Sequence, residues 1–468
     1  MPSPTDAPPP ATGTLLRRIL ALAAPTTALS MLQVAAQLVE TVLAARQGTA
    51  ALAGWAVMLP FALLLSQMST GAMGGGVVSA VARALGAQRR DEASALVLHA
   101  MLIATAGGLL FAVGVSLGAA PLLHAVAGPD AAAAAAPYAW WLFGVGAVPA
   151  WWTNTLASVL RGGGQHALVA RIQALQWLTL PLLAWGLAEP LGFGLSGVGA
   201  AFAAVNGVAA LAMLRVVRQG QAGFVPHWRA QPQRVLFVRI LQVGAVASGL
   251  AALSNLTTII VTAQLRHLGP TAVAAYGIAA RLEFLIIPLA WGVGSALTAL
   301  VGRTVGAGDW PSARRTAWLG GRIAFGATAA IGLAVGALPL SFAQLFTDDA
   351  AVAALAAQAL RYTGPAFGFF GLGMTMYFAS MGAQRMGTPV IAGCARLGIA
   401  AGGGWLLAHG AWGLGGWPGL GTEGHFLGVA LGLTAYGLIT ASGVRAGVWH
   451  PLKSGSVEIL IPAPRHDT

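Results

Sequence analysis

Charged residues are scarce in this chain of 468 residues, and their scarcity excludes an ordinary soluble protein. Only 8% of the residues are Asp, Glu, Lys or Arg, whereas 57% are hydrophobic. Soluble domains carry about a quarter of charged residues. The composition therefore predicts a protein of the lipid bilayer, built from apolar helices.

Several kinds of functional site are also missing from the sequence. Cys394 is the only cysteine, which excludes a disulfide framework and a cysteine metal site. The nine histidines show no metal-ligand spacing, and the glycine turn at 162–164 lacks the lysine of a phosphate-binding loop. The apolar segments contain no cluster of His with Asp or Glu, nor of Ser with Lys. We therefore predict no metal site, no cofactor and no enzymatic activity.

Long apolar segments recur along the chain. A helix needs about 20 apolar residues to cross a bilayer core of about 30 Å. Twelve segments have this length, so we expect an all-α membrane protein with twelve transmembrane helices. The predicted helices lie at residues 19–44, 51–80, 94–120, 137–160, 168–188, 195–215, 238–265, 271–301, 316–342, 355–381, 389–410 and 425–446.

The two halves of the chain resemble each other. The segments that begin at Arg83 and Arg303 share Arg, Gly-Ala and a closing Ala in register, and each follows a long apolar segment rich in glycine. They lie almost half of the chain apart, so the repeated unit is a set of six helices. Such repeats are typical of transporters. We therefore predict two pseudo-symmetric six-helix lobes with a central cavity between them.

The predicted domain boundaries follow the polar segments. Residues 14–218 form the N-lobe and residues 238–449 form the C-lobe. The segment 219–237 is a cytosolic linker between them. Residues 1–13 form a disordered tail, and residues 450–468 form a C-terminal tail.

The net charge of +12 could indicate a nucleic-acid partner, but the charges are distributed as in a membrane protein. In the twelve-helix arrangement most arginines fall on one side of the bilayer, with Arg161 and Arg396 among them. The opposite side collects the acids Asp130, Glu189, Asp348, Asp349 and Glu423. By the positive-inside rule the arginine-rich side, with both termini, is cytosolic. We expect the lipid bilayer as the surroundings and no nucleic-acid partner.

Polar residues inside the apolar segments are the candidate functional residues, because such side chains are costly in hydrocarbon unless they face a cavity or a partner. The first predicted helix carries five of them at spacings of three and four, which places them on one face. They are Thr26, Ser30, Gln33, Gln37 and Glu40. This face could line a wet cavity, or its Ser and Gln side chains could bond to neighbouring helices.

Glu40 is the candidate ion-coupling residue, together with Gln37, Asn154 and Gln176. Apolar surroundings disfavour the charged form of a carboxylic acid, so Glu40 could bind and release protons. A carboxylate with amide oxygens could equally bind a monovalent cation, which makes Na⁺ at Glu40 the alternative. The sequence leaves both ions open.

In the second half the acid lies in a different helix. Arg281 and Glu283 lie about a third of the way into the eighth predicted helix, and residues two apart point to different sides of a helix. We expect both to find partners on other helices, for instance Asn255, either in a structural ion network or in coupling and substrate binding. The candidate cavity residues are Gln33, Asn255, Arg281, Phe370, Met374 and Tyr377.

These residues and motifs resemble the multidrug and toxic compound extrusion (MATE) family over nearly the whole chain. The resemblance is carried by Pro25, Glu40-Thr41, the Arg83 and Arg303 loops, Leu160-Arg161-Gly162, Tyr276-Gly-Ile-Ala-Ala-Arg-Leu-Glu and Gly306-Ala307-Gly308. It implies twelve helices in two six-helix lobes, and export of cationic, lipophilic compounds in exchange for protons or sodium ions. Carried over by position, Glu40 stands for the acid of helix one, Asn154 matches an ion-site position and Pro25 bends helix one.

The chain also departs from the family pattern. Leu180 stands where many members have an acid in helix five, and Gln176 replaces an Asn. Coupling is therefore expected to rest on Glu40, with Glu283 as a second candidate. We predict a monomeric secondary antiporter of the bacterial inner membrane that exports small organic compounds by alternating access. A lipid-linked oligosaccharide flippase of the same superfamily is the alternative, and it would need a larger and more cationic cavity.

Overall fold

The structure is a computed structural model that describes residues 12–228, 231–410, 419–445 and 449. The predicted tails at 1–13 and 450–468 lie outside the described residues, except that Thr12 and Gly13 begin the first helix.

Helices form nearly all of the described chain. Those of the first half are α1 (Thr12–Arg46), α2 (Thr49–Gly86), α3 (Arg90–Ala127), α4 (Pro129–Val145 and Ala147–Gly162), α5 (His166–Ala188) and α6 (Gly194–Arg218). Those of the second half are α7 (Arg234–Arg266), α8 (Pro270–Gly306), α9 (Trp310–Ala337), α10 (Ala350–Gly382), α11 (Gly387–His409) and α12 (Thr422–Ser442). A short helix, Pro339–Gln344, precedes α10.

The helices have the length and composition of membrane spans. Ten are long and apolar enough to cross a membrane, and the two parts of α4, which meet at 43°, make an eleventh. With its 33 residues, α10 also has the length of a span and completes the set of twelve. Large apolar side chains lie on the outer surface, such as Leu117, which is 72% exposed. The all-α, twelve-helix architecture predicted from the sequence is thus confirmed for the described residues.

Three of the helices contain a stretch of wider, π-type turns. These are Gln67–Ala72 in α2, Trp140–Val145 in α4 and Gly398–Gly403 in α11. Such turns often occur at functional sites, because they change the direction in which a helix presents its side chains. In α2 the wider turns carry Gln67, Ser69 and Thr70. Each of these residues lines one or both of the two cavities described below.

The two halves meet at the ends of α2 and α8 that carry Arg83 and Arg303. Gly86 lies against the backbone carbonyl of Arg303, and Gly306 lies against that of Arg83, so that a Cβ atom at either glycine would clash. The Arg83 guanidinium also donates to the carbonyl of Gly382, at 3.3 Å. The repeated motif that marks the two halves in the sequence is therefore a surface by which they meet.

The first helix of each half interlocks with the other half at this same end. Leu15 and Ile19 of α1 are buried in an apolar cluster of the second half, together with Leu297. Leu236 and Ile240 of α7 are buried in a cluster of the first half. The exchange seals the arginine-rich end with apolar contacts.

The segment between the halves is held against α3. The hydroxyl of Ser94 donates to the carbonyl of Val225 at 2.6 Å, and the backbone N–H of His227 donates to that hydroxyl at 2.8 Å. The backbone N–H of Gln233 donates to Nε2 of His99 at 2.7 Å. Helix α7 begins at Arg234, which lies inside the segment 219–237 predicted as the linker. The described part of that segment is therefore fixed to the first half.

Candidate functional site

A cavity of about 370 Å³ lies between the two halves, and we call it the central cavity. Its walls come from α1 and α2 of the first half and from α7, α8, α10, α11 and α12 of the second. Cavities that bind small molecules enclose about 300–1,000 Å³. The structure brings together at this cavity the predicted residues Gln33, Asn255, Phe370, Met374 and Tyr377.

Arg281 is placed differently from the sequence-based expectation. Its side chain is exposed and does not line the central cavity. Arg281 lies about one turn before Phe284, the first residue of α8 that lines the cavity, so it precedes the part of the helix that reaches the cavity. Asn255 lies at the cavity wall but does not bond to either residue; it donates to Oε1 of Gln67 in α2, at 3.4 Å.

A second, smaller cavity lies within the first half, and we call it the N-lobe cavity. It encloses about 70 Å³ and is lined by Gln37 and Glu40 of α1, Asn154 of α4 and Gln176 of α5. The four residues predicted for an ion site in this half therefore meet at one cavity. The two cavities adjoin, since both are lined by Ser30, Gln33, Gln37, Leu63, Ser66, Thr70 and Trp291.

Asn154 is fixed by a chain of hydrogen bonds. Its Nδ2 donates to the hydroxyl of Ser69 at 2.8 Å, and its Oδ1 accepts from Nε2 of Gln173 at 3.5 Å. Oε1 of Gln173 in turn accepts from the Arg161 guanidinium at 2.8 Å. Because each amide in such a chain has one donor side and one acceptor side, the chain orients all of them. The wall of the N-lobe cavity is thus a preorganised polar surface.

Gln176 presents an oxygen that lacks a partner. Its Nε2 donates to Oδ1 of Asn206 at 3.0 Å, and Nδ2 of Asn206 donates to the carbonyl of Phe202 at 2.9 Å. Oε1 of Gln176 is buried and has no hydrogen-bond partner among the described residues. Such an oxygen costs about 1–3 kcal/mol. A protonated acid or a bound cation in this cavity would remove that cost.

Glu40 has no described partner either. Its half-buried side chain lines the N-lobe cavity and makes no hydrogen bond or ion pair with any residue that the structure describes. A charged carboxylate is costly in apolar surroundings unless it is paired. Binding a proton or a cation neutralises the carboxylate, so Glu40 has the properties of an ion-binding group.

Glu283 in the second half is paired. Its Oε1 accepts a hydrogen bond from the Arg396 guanidinium at 2.6 Å, and the two side chains are 16% and 11% exposed. The same guanidinium donates to the hydroxyl of Ser254 at 3.3 Å. It also lies over the rings of Phe370 and Tyr436, at 5.1 and 6.0 Å from their centroids. Glu283 thus belongs to a buried ion pair at the wall of the central cavity.

The sequence analysis assigned Arg396 and Arg161 to the arginine-rich side. Arg161 does lie at the end that carries Arg303, in the last turn of α4, but both side chains are buried in the protein. Arg396 lies in the middle of α11, and Arg161 is 2% exposed inside the structure. The Arg161 guanidinium lies 5.2 Å from the ring centroid of Trp291 in α8, so it links the two halves. Assigning arginines to one side of the bilayer from their sequence positions does not reveal that an arginine is buried against a partner from another helix.

The profile of one family matches both halves of the chain. Residues 25–186 and 248–406 match MatE. The chain belongs to the MatE family. This is the multidrug and toxic compound extrusion family that its motifs resemble.

Curated relatives of this MatE protein are named as multidrug resistance proteins. A probable multidrug resistance protein NorM of Rhodopseudomonas palustris is 27% identical over 440 residues, which is 86% of each chain. A protein of the same name from Xanthomonas axonopodis pv. citri is 38% identical over 141 residues. That alignment spans 29% of each of the two chains.

Solved structures show the same fold. The Vibrio cholerae MATE transporter VcmN in the bent form superposes with a TM-score of 0.85 at 20% identity, over 94% of this chain and 99% of that one. The outward-facing conformation of a multidrug resistance MATE family transporter superposes with a TM-score of 0.82 at 20% identity, with the same coverage. The MatE fold with its two lobes is thus shown.

Two residues that line these cavities were missed by the sequence reasoning, although each left a signal. Arg396 lies inside the apolar segment 389–410, where a charge is costly and indicates a partner or a cavity. Asn206 is the amide of the apolar segment 195–215 and lines the N-lobe cavity. Both could have been found by treating every polar residue inside a predicted span as a candidate.

Proposed function

We propose that this MatE protein is a secondary antiporter. It exports cationic or lipophilic organic compounds through the central cavity in exchange for an ion that binds at Glu40. The observation that carries the proposal is the position of Glu40, a carboxylate without a described partner in a cavity that adjoins the central one. Gln33 and Gln37 line both cavities. The ion and the exported compound would therefore occupy neighbouring sites.

The coupling ion is a proton or Na⁺. A proton would bind Glu40 itself, whereas Na⁺ would take a carboxylate oxygen of Glu40 and amide oxygens of the same wall. The unpartnered Oε1 of Gln176 suits either ion, as an acceptor for a carboxylic acid or as a ligand for a cation. Ion binding drives the conformational change only through its different affinity for the two states. In our proposal the neutralised site favours the state that has released the compound.

The direction of transport follows from the charge distribution. By the positive-inside rule we assign the end with Arg83 and Arg303, and both termini, to the cytosol. The described state is then sealed toward the cytosol, because the two halves interlock at this end. Ions would reach Glu40 from outside, and the compound would leave to that side. We assign the protein to the bacterial inner membrane, in line with its named bacterial relatives.

A lipid-linked oligosaccharide flippase fits the cavity less well. Such a lipid carries phosphates and requires a large cationic cavity. Arg396 is the one charged residue among the described residues that line the central cavity, so this cavity presents a single cationic group instead of several. We therefore retain the antiporter.

The proposal is tested by transport in liposomes. A fluorescent lipophilic cation is followed while a proton gradient and a sodium gradient are imposed separately. We expect one of the two gradients to drive movement of the dye, and this gradient identifies the coupling ion. Glu40→Gln should abolish the gradient-driven movement, because an amide carries no negative charge that a proton or Na⁺ could neutralise.

Glu189→Gln is the matched control. Glu189 is an acid of the same half, but it pairs with Arg46 at the surface, at 3.4 Å, and lines neither cavity. This variant should transport like the wild type. Gradient-driven movement at wild-type rate by Glu40→Gln would show that the ion binds elsewhere. Failure of both gradients to move the cation in the wild type would contradict antiport of this class of compound.

A further inference from the structure

The wall of the central cavity that belongs to the second half presents a guanidinium to the cavity. Arg396 is the only charged residue among the described residues that line this cavity. Glu283, the acid of this half, bonds to Arg396 but is not part of the lining. A site for a simple organic cation would be expected to present an anion, since opposite charges are matched across interfaces. A compound bound at this wall meets a guanidinium instead.

The guanidinium of Arg396 has donors to spare. The group has five N–H donors, and it makes two hydrogen bonds within the described residues, to Glu283 and to Ser254. The residue is 9% exposed, yet its side chain lines the cavity. The ion pair and the two aromatic rings beneath it fix its position, so its remaining donors are preorganised toward a ligand.

The surroundings of Arg396 are aromatic. Phe370 and Tyr436 lie beneath the guanidinium, and Trp291 and Tyr377 also line the cavity. Aromatic walls bind flat rings by offset or edge contacts. A guanidinium binds a carboxylate through two parallel N–H···O bonds, which a cationic or esterified group cannot form.

We propose that Arg396 is the carboxylate-binding residue of a substrate subsite in the central cavity. A compound that carries a carboxylate beside an aromatic ring binds with this carboxylate against Arg396. This inference rests on the proposed function, because it concerns the compounds that pass through the same cavity. Glu283 holds the guanidinium in place, and the carboxylate of the compound becomes its second anionic partner. The cationic part of a zwitterion points away from Arg396, toward the neutral amides of α1 and the N-lobe cavity.

A matched pair of dyes tests the proposal. A rhodamine with a free carboxylate and its methyl ester share one ring system and differ in the anionic group. Their equilibrium binding to the purified protein is measured by fluorescence anisotropy, without any ion gradient. We expect the acid to bind about tenfold more tightly than the ester, as one charge-assisted hydrogen bond would give.

The decisive variant removes both charges of the pair together. The double variant Glu283→Gln with Arg396→Gln leaves no unpaired buried charge, and it should bind acid and ester about equally. Arg396→Lys keeps the ion pair but loses the planar fork, and it should lose most of the preference. Arg281→Gln is the control, because it removes an exposed arginine of the same half that does not line the cavity. It should keep the full preference.

Two results would overturn the proposal. One is a wild-type protein that binds the acid no more tightly than the ester, and the other is a preference for the acid that persists in the double variant. Because binding is measured without a gradient, a failure of ion coupling at Glu40 leaves this result unaffected. A wild-type protein with gradient-driven transport but no preference for the acid would leave the antiporter standing and refute the subsite alone.

Discussion

The two halves of this MatE transporter share a fold but surround their acids differently. Glu40 of the first half lies at a cavity lined by amides and has no described partner, whereas Arg396 holds Glu283 of the second half at 2.6 Å. A carboxylate that is already neutralised by a guanidinium gains little from an ion. The comparison supports our proposals that the coupling ion binds in the first half and that the second half contacts the transported compound.

The contact between the halves has kept its symmetry. Gly86 packs on the carbonyl of Arg303, and Gly306 packs on the carbonyl of Arg83. The duplicated scaffold thus retained the positions at which backbones meet, while the polar residues around the cavities diverged. A close contact between two backbones leaves no room for a side chain at these glycines, whereas many different side chains fit at the wall of a cavity.

The largest expected difference between the two acids is in the free energy of unfolding after one charge is removed. Arg396→Gln leaves Glu283 buried without its partner and should lower the free energy of unfolding by about 3–5 kcal/mol. Glu40→Gln removes a carboxylate that has no described partner and should lower it by less than about 1 kcal/mol. Thermal unfolding in detergent measures both. Equal losses would show that Glu40 is a structural residue.

Substitutions at the two contact glycines, Gly86 and Gly306, should destabilise the protein to a similar extent. Gly86→Ala and Gly306→Ala each place a methyl group against a backbone carbonyl and should destabilise the protein by about 1–3 kcal/mol. Gly186→Ala is the control, because a methyl group there meets open space. Unfolding curves of the three variants give the comparison. A large loss for only one of the contact glycines would contradict a symmetric interface.

Asn154 of the first half and Asn255 of the second should differ in how strongly they affect binding of the coupling ion. Asn154→Ala breaks the chain that links Ser69 to Gln173, and it should raise the ion concentration for half-maximal transport by about tenfold. Asn255 is exposed to the central cavity; its Nδ2 donates to the carbonyl of Ala251 in its own helix at 3.0 Å, and its contact with the first half is a long bond to Gln67, at 3.4 Å. Asn255→Ala should change that concentration by less than about twofold. The reverse order would place the ion in the second half.

Arg281 should show the smallest effect. Its side chain is exposed and lies outside the cavity lining. Arg281→Gln should therefore leave stability within about 0.5 kcal/mol of the wild type and leave transport unchanged. A strong loss of transport would restore Arg281 as a site residue and point to a conformation in which α8 is rotated.

The sequence predicted the fold because its signals are local. Apolar segments of about 20 residues predict spans wherever they lie, and the Arg83 and Arg303 motifs reveal the duplication without any knowledge of contacts. The stripe of α1 was predictable for the same reason, since helical spacing alone puts Gln33, Gln37 and Glu40 on one face. The structure places all three at the cavities.

The pairing of side chains between helices was not predictable from the sequence. Arg396 and Glu283 lie on helices far apart in the chain, and spacing within one helix contains no information about them. The same holds for Arg161 and Trp291, which meet across the two halves. The sequence analysis therefore expected a partner for Glu283 on another helix but could name only Asn255 as an example, and it placed Arg281 instead of Arg396 at the cavity.

The sequence by itself determined the membrane class, the duplicated halves and the polar face of α1, because hydropathy and helical periodicity are properties of consecutive residues. Only the tertiary structure decided which acid is paired and which is not. Whether a buried charge is neutralised depends on the helix packed against it. In this protein the packing gives Glu283 an arginine from α11 and surrounds Glu40 with amides, and that difference separates the two halves.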